Sequence, residues 1–210
     1  MTRAQALVEL RRAERHLRTH DTRLAAVIAK VGPCQFVPHS RHFQALVRSI
    51  VSQQLSGKAA DTIHGRFLGL YPGRRHPRPD EILATPDEAL RAIGLSRGKT
   101  AYIKDLCAHV HDGRLDLRHV SRLDDAELTA ALVAVKGVGE WTAHMFMMFS
   151  LCRLDILPTG DLGVRKGMQR VYGLPTLPTP DEMRAIAERQ GWAPYRSVAS
   201  WYMWQVIDLL

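Results

Sequence analysis

Asp161 is the residue whose position most clearly suggests chemistry. It follows the turn-forming segment 157–160 and precedes a stretch to about Tyr172 that predicts a helix. Aspartate is a favoured N-cap residue, because its side chain accepts backbone N–H groups of the first helical turn. The same N–H groups stabilise the negative charge of a carboxylate. The position therefore predicts a helix cap and, compatibly, a fixed carboxylate that can stabilise positive charge in a transition state.

A second candidate is the turn Lys136–Gly139, which ends 22 residues before Asp161. Gly137 and Gly139 flank Val138 between two predicted helices. The glycines allow a sharp turn and a close approach of the backbone to another surface. The N–H groups and the dipole at the start of the second helix favour an anion. The pattern predicts a phosphate-binding turn, with an ordinary packing corner between helices as the alternative.

The charge balance indicates the kind of anion. Lys and Arg number 29 against 21 Asp and Glu, so the formal net charge is +8. Such a balance points to a polyanion, most often nucleic acid. Arg165, Lys166 and Arg170 form one acid-free cluster. We interpret the cluster as a source of phosphate contacts, although a solvated helix face would look the same.

Several classes of protein are excluded. The three cysteines are widely spaced, so they form neither a disulfide framework nor a zinc motif nor the four ligands of an iron–sulfur cluster. No apolar run approaches the length of about 18 residues that a membrane-spanning helix needs. We interpret all ten histidines as surface or core residues rather than metal ligands.

The elements that would position these residues are predicted to be helical. Apolar residues recur at helical spacing along the chain, and no pair of strands with a hairpin turn is apparent. Thr85 and Thr179 each open a Thr-Pro-Asp-Glu string, which is typical of a capping box with proline in the first turn. We predict an all-α fold, with a helix start at both threonines.

The string Leu132–Ala143 resembles the helix-hairpin-helix motif, and the Pro and Asp that follow it resemble the helix-hairpin-helix DNA glycosylase superfamily. Ile50–Ser56 resembles the early helix end of that family, whose following turn inserts into DNA. Ile93–Ser96 resembles its middle helix start. The resemblance covers about residues 20–205 and is strongest to the compact, all-α form of the AlkA-like branch, DNA-3-methyladenine glycosylase II.

This resemblance implies a two-lobed fold with a DNA cleft between the lobes. Residues 40–154 would form the larger lobe, with the helix-hairpin-helix motif at 132–150. Residues 1–39 and 155–210 would form the other lobe.

The implied activity is hydrolysis of the N-glycosidic bond of alkylated purines, of the 3-methyladenine and 7-methylguanine type, leaving an abasic site. Asp161 would be the catalytic carboxylate. Glu140 and Trp141 follow the hairpin where bifunctional relatives carry Lys, which implies a monofunctional enzyme without a lyase step.

The resemblance also assigns binding residues. Trp141 and Tyr195 match positions of the base pocket, and Met145 stands where the bacterial relative carries an aromatic residue. Gln54 falls at the position that inserts into the DNA. The remaining aromatic residues near the C terminus, Trp204 among them, are predicted to be mostly core. The predicted DNA-binding residues are Gln53, Gln54, Leu55, Lys136, Gly137, Val138, Gly139 and Arg165.

No cofactor is required by this chemistry and no iron–sulfur cluster is expected, although family members can hold a Na⁺ or K⁺ ion at the hairpin. Here the backbone carbonyls of Val133, Val135 and Val138 would bind it. We expect a cytoplasmic monomer that acts on double-stranded DNA containing damaged bases, with no membrane partner. The alternatives are a glycosylase for uracil or deaminated purines, and a non-catalytic helix-hairpin-helix DNA-binding protein.

Overall fold

A computed structural model describes residues 2–36, 38–39, 41–73 and 76–209 of the chain, with the side chains of residues 208 and 209 left out. Every regular element within these ranges is helical, which confirms the all-α prediction. None of the described helices is both long and apolar enough to cross a membrane.

The α-helices follow one another through short connections. In chain order they are α1 (Arg3–His20), α2 (Thr22–Val31), α3 (His42–Ser52), α4 (Gly57–Gly69), α5 (Pro79–Ala84), α6 (Asp87–Ala92), α7 (Arg97–His111), α8 (Asp125–Val133), α9 (Glu140–Met145), α10 (Leu162–Tyr172), α11 (Pro180–Arg189) and α12 (Arg196–Leu209). A 3₁₀ turn lies at Val120–Arg122, and α9 runs into a π-helical turn at Phe146–Ser150.

The chain divides into two compact units: the central unit, residues 41–146, and the terminal unit, residues 1–40 with 147–210. The sequence placed residues 147–154 in the larger lobe, whereas the structure places them with the terminal segments. Backbone hydrogen bonds explain the difference. The carbonyl of Ser150 accepts the N–H of His39 at 3.4 Å, and that of Leu154 accepts the N–H of Ser197 at 2.9 Å.

The terminal unit is organised around the buried Asp21. Its Oδ1 caps α2 by accepting the Leu24 N–H at 2.9 Å, while Oδ2 accepts the Trp192 indole N–H at 2.9 Å and the Tyr172 hydroxyl. Asp21 and Trp192 are fully buried. Because burial and the adjacent carboxylate both disfavour the phenolate, the pKa of Tyr172 is raised. One carboxylate thus joins α2, the end of α10 and the segment before α12.

Helices α10 and α12 pack directly against each other in the same unit. A Cβ atom added at Gly167 would lie 2.2 Å from the carbonyl oxygen of Met203, so the two backbones meet where glycine leaves room. Val164 and Met168 on α10 are fully buried, as is Met203 on α12. The two helices therefore hold each other in one register.

In the central unit, α7 packs against α3, α5 and α6, and α8 packs against α9. Its core is apolar and fully buried at Ile50, Phe67, Ile103 and Leu132.

Helices begin at both predicted Thr-Pro strings, but only one of the two threonines forms the cap. Thr179 forms the predicted capping box. Its Oγ1 accepts the Glu182 N–H at 3.3 Å, and Glu182 Oε2 accepts the Thr179 N–H at 2.7 Å. Near Thr85 the predicted helix start is confirmed, since α6 begins at Asp87, but the predicted Thr85 cap is wrong. Helix α5 ends immediately before Thr85, whose hydroxyl donates to the Glu81 carbonyl at 2.9 Å, and α6 begins without a side-chain cap.

We expect Gly167→Ala to lower the free energy of unfolding by about 3 kcal/mol, because the new methyl group collides with backbone that cannot rotate away. Urea titration followed by circular dichroism measures it. Gly65→Ala is the control, since a Cβ there meets no atom within 4 Å and should stabilise α4 by about 0.5 kcal/mol. Equal stability of the two variants would contradict the packing argument.

Candidate functional site

Asp161 caps α10, as predicted from the sequence. Its Oδ1 accepts the Val164 N–H at 2.8 Å, and its own N–H donates to the Pro158 carbonyl at 2.9 Å. Only 7% of the residue is exposed. The carboxylate is therefore fixed by backbone on both sides and shielded from most of the solvent, which strengthens its electrostatic effect on a nearby charge.

Trp204 is the functional candidate that sequence reasoning missed. Its indole N–H donates to Asp161 Oδ1 at 2.8 Å, from α12. A Cβ at Gly163 would lie 2.6 Å from Cδ1 of this indole, so the glycine two residues after the aspartate makes room for the ring. That Asp-x-Gly spacing, together with the C-terminal aromatic residues, is the signal that could have indicated the contact.

Phe149 extends this aromatic surface and packs on the buried Phe36. The ring of Phe149 stacks on Trp204 with centroids 5.6 Å apart, and Phe36 lies 5.1 Å from Phe149. Phe149 is 40% exposed, and Leu162, the residue next to Asp161, is 51% exposed. An electron-rich face next to a carboxylate suits a flat, cationic ligand.

The predicted base-pocket residues divide between the units. Tyr195 packs edge-on against His16 of α1, with ring centroids 5.3 Å apart. Trp141 and Met145 lie four residues apart on α9, and therefore on one face of it. Trp141 is 46% exposed, so a large apolar side chain faces solvent on this helix. Of the other C-terminal aromatic residues, Trp192 and Tyr202 are fully buried, as predicted for core.

The hairpin between α8 and α9 is built on Gly137. Its φ of +79° lies in the left-handed region, which favours glycine. A Cβ there would lie 2.2 Å from the Tyr102 ring, whereas one at Gly139 would meet nothing within 4 Å. The Lys136 N–H donates to Asp105 Oδ2 at 2.8 Å. Helix α7, which carries both Tyr102 and Asp105, is therefore the support for the turn.

The predicted inserting turn lies against this hairpin. The amide of Gln53 donates to the Gly137 carbonyl at 2.8 Å, and Lys99 caps the end of α3 by donating to the Val51 carbonyl at 2.7 Å. Gln54 is exposed, with a φ of +56°, and Leu55 is 37% exposed. The structure thus brings the two predicted DNA-binding turns together. Gln53 holds the turns to each other, while Gln54 and Leu55 project.

The remaining predicted sites are less distinctive. Arg165 Nε donates to the Pro178 carbonyl at 2.9 Å, which ties α10 to the loop before α11.

Among the described residues, no group of three or more His, Cys, Asp or Glu side chains could hold a metal ion. At the hairpin, the Val135 carbonyl already accepts the Val138 N–H at 3.0 Å. A carbonyl oxygen has a second lone pair, so this bond is compatible with a cation there.

Comparison with known proteins gives consistent results. The family model described as "HhH-GPD superfamily base excision DNA repair protein" matches residues 47–192. The chain is 32% identical to DNA-3-methyladenine glycosylase 1 of Schizosaccharomyces pombe over 98% of this chain and 91% of that protein. It is 31% identical to the alkylbase DNA glycosidase-like protein mag2 of the same yeast, over 96% and 95% of the two chains.

Two solved structures are similar over most of their length. The DNA-3-methyladenine glycosidase of Bacillus halodurans superposes with a TM-score of 0.83 and 39% identity, over 92% of this chain and 88% of that one. The 3-methyladenine DNA glycosylase Mag1 of S. pombe, solved in complex with abasic DNA, gives a TM-score of 0.81 and 32% identity, over 92% and 95%.

We expect Gly137→Ala to lower the free energy of unfolding by about 3 kcal/mol, because the new side chain both strains the backbone and overlaps Tyr102. Gly139→Ala is the matched control, since its backbone is extended and its surroundings are open. Urea titration of both variants makes the comparison. A Gly137→Ala protein as stable as Gly139→Ala would show that the hairpin rearranges freely.

Proposed function

Because the chain belongs to the HhH-GPD superfamily of base excision DNA repair proteins, we propose that it is a monofunctional DNA glycosylase for alkylated purines. It hydrolyses the N-glycosidic bond of bases of the 3-methyladenine and 7-methylguanine type and leaves an abasic site. The observation that carries the proposal is the Asp161 carboxylate, fixed by the Val164 N–H and the Trp204 indole. The named activities of the yeast and Bacillus relatives support the same substrate class.

The substrate base must first leave the duplex, at a cost of a few kcal/mol. Gln54 and Leu55 project from the central unit and are suited to fill the space that the base vacates. The adjacent turn Lys136–Gly139 offers N–H groups at the start of α9 to a phosphate of the same DNA. The hydrogen bond between Gln53 and Gly137 holds the inserting turn and the phosphate-binding turn next to each other.

Aromatic faces then select the base. An alkylated purine carries a positive charge, which the π-faces of Trp204 and Phe149 attract. Trp141 and Met145 on α9 offer a second apolar face to bound DNA. Because Met145 stands in place of an aromatic side chain, α9 offers less π-surface, so we expect selectivity to rest mainly on the charge of the base.

Bond cleavage needs one carboxylate. The C1′–N bond breaks with both electrons leaving on the purine, which neutralises the base and requires no general acid. The sugar becomes an oxocarbenium-like cation, which the Asp161 carboxylate stabilises. The oxygen of a water molecule attacks C1′ and its proton passes to solvent. Glu140 and Trp141 place no amine after the hairpin, so no Schiff base forms and the strand stays intact.

A Na⁺ or K⁺ ion at the hairpin is part of the proposal. The carbonyls of Val133, Val135 and Val138 would hold it, and its charge would add to the attraction for a DNA phosphate. The proposed partner is double-stranded DNA containing damaged bases, bound by a monomer in the cytoplasm. The three buried free thiols fit a reducing compartment.

The decisive experiment compares the wild type with Asp161→Asn in single-turnover release of methylated bases from alkylated duplex DNA. We expect release to fall by about 100-fold or more, because the amide cannot neutralise the sugar cation. Asp181→Asn, at an exposed position on α11, should leave release unchanged. Nicks should appear only after alkali treatment.

Two results would contradict the proposal. Release of uracil or hypoxanthine but not of methylated purines would indicate another lesion class. Tight DNA binding without release of any base would indicate a non-catalytic binding protein.

The indole of Trp204 should also contribute to the rate. We expect Trp204→Phe, which keeps an aromatic ring but removes the donor to Asp161, to slow base release by about tenfold. Trp201→Phe makes the same chemical change on α12 at a position whose ring packs on Tyr202, and should have little effect. Equal rates for the two variants would show that the hydrogen bond is dispensable.

A further inference from the structure

A hollow of about 220 Å³ opens on the terminal unit among α2, α10 and α12. Its apolar lining consists of Ala26 and Val27 from α2, Val171 from α10 and Val206 from α12. A cavity of about 150 Å³ already accepts a benzene ring, so this space suits one large aliphatic or aromatic side chain. It does not suit a nucleotide.

Three cations surround the hollow, namely Arg23, Lys30 and Arg170, and its lining contains no acidic residue among the side chains that the structure describes. Arg23 Nη1 lies 3.5 Å from the Val171 carbonyl, and Arg170 Nη1 lies 3.4 Å from the Ile207 carbonyl. Both contacts are to neutral oxygens. None of the three cations makes an ion pair within the part of the chain that the structure describes, so their charges are available to an anionic ligand.

The hollow is separate from the proposed catalytic carboxylate. Asp161 precedes the first turn of α10, whereas Arg170 and Val171 lie in its last turn. A rise of 1.5 Å per residue separates the two positions by about 13 Å along the helix. The residues proposed for chemistry therefore do not explain these cations.

The spacing of the cations favours a ligand with several acidic groups. Arg23 and Lys30 lie seven residues apart on α2, which is about 10 Å along one face of the helix. A single carboxylate bonded to one of them does not reach the other. The apolar centre requires, in addition, an uncharged group between the anionic ones.

We propose that this hollow binds an acidic peptide segment of a partner protein. One aliphatic or aromatic side chain of the segment enters the hollow, and carboxylates on both sides of it contact Arg23, Lys30 and Arg170. Charge complementarity and the apolar lining together select this ligand. A DNA backbone offers phosphates but no apolar side chain to fill the space.

The test measures fluorescence anisotropy of a fluorescein-labelled synthetic peptide in which a central phenylalanine is flanked on each side by two glutamates. We expect Lys30→Glu to weaken binding by about tenfold or more, because an attractive charge becomes repulsive. Arg15→Glu makes the same charge change on the exposed side of α1 and should bind the peptide like the wild type. Both positions are exposed, so neither change should impair folding.

Two further comparisons separate the hollow from general charge attraction. Ala26→Trp fills the space without changing the charge and should weaken binding to a similar extent. A second peptide with serine in place of phenylalanine should bind more weakly to the wild type. Equal binding of the two peptides would overturn the proposal, because charge alone would then explain the affinity.

Duplex DNA is the remaining competitor. We expect Lys30→Glu to leave DNA binding and base release unchanged, which would separate this surface from the proposed glycosylase function. A loss of DNA affinity as large as the loss of peptide affinity would overturn the proposal and assign the cations to the DNA-binding surface.

Discussion

The close approach of α10 and α12 is the constraint on which the proposed chemistry depends. At Gly167 the α12 backbone passes within a distance that no side chain would allow, and at Gly163 the Trp204 indole takes the place of a Cβ atom. The same contact brings the indole N–H to Asp161. Packing and the proposed catalysis are therefore coupled, since any change that separates these helices also removes a donor from the carboxylate.

The hairpin between α8 and α9 also depends on a glycine at a close contact. Gly137 lies directly on the Tyr102 ring, which leaves the turn one backbone conformation. Hydrogen bonds from Gln53 and to Asp105 fix the neighbouring segments to it. A rigid turn loses little entropy on binding, so its N–H groups can hold a phosphate with little reorganisation. In the proposed complex this rigidity would serve recognition of the DNA backbone, which is the same for every sequence.

Buried polar groups complete the terminal unit. Asp21 is fully buried, yet both of its oxygens accept hydrogen bonds. A buried carboxylate requires these particular donors, because the free-energy cost of leaving a buried polar group unpaired exceeds the gain from an apolar contact. We regard this network as the anchor that holds the end of α10, and with it the lining of the basic hollow, in place.

The sequence by itself determined the helical fold, the hairpin and the role of Asp161 as a cap, because periodicity, glycine pairs and N-cap residues act over a few neighbouring positions. It predicted that Thr85 caps the next helix, whereas the Thr85 hydroxyl donates to the Glu81 carbonyl of α5. It placed the boundary of the larger lobe at residue 154, whereas the two compact units divide between residues 146 and 147. Only the tertiary structure decided that Trp204 contacts Asp161, that Gln53 is bound while Gln54 projects, and that three distant cations share one hollow. Such contacts join residues far apart in the chain, and their geometry depends on how whole helices pack.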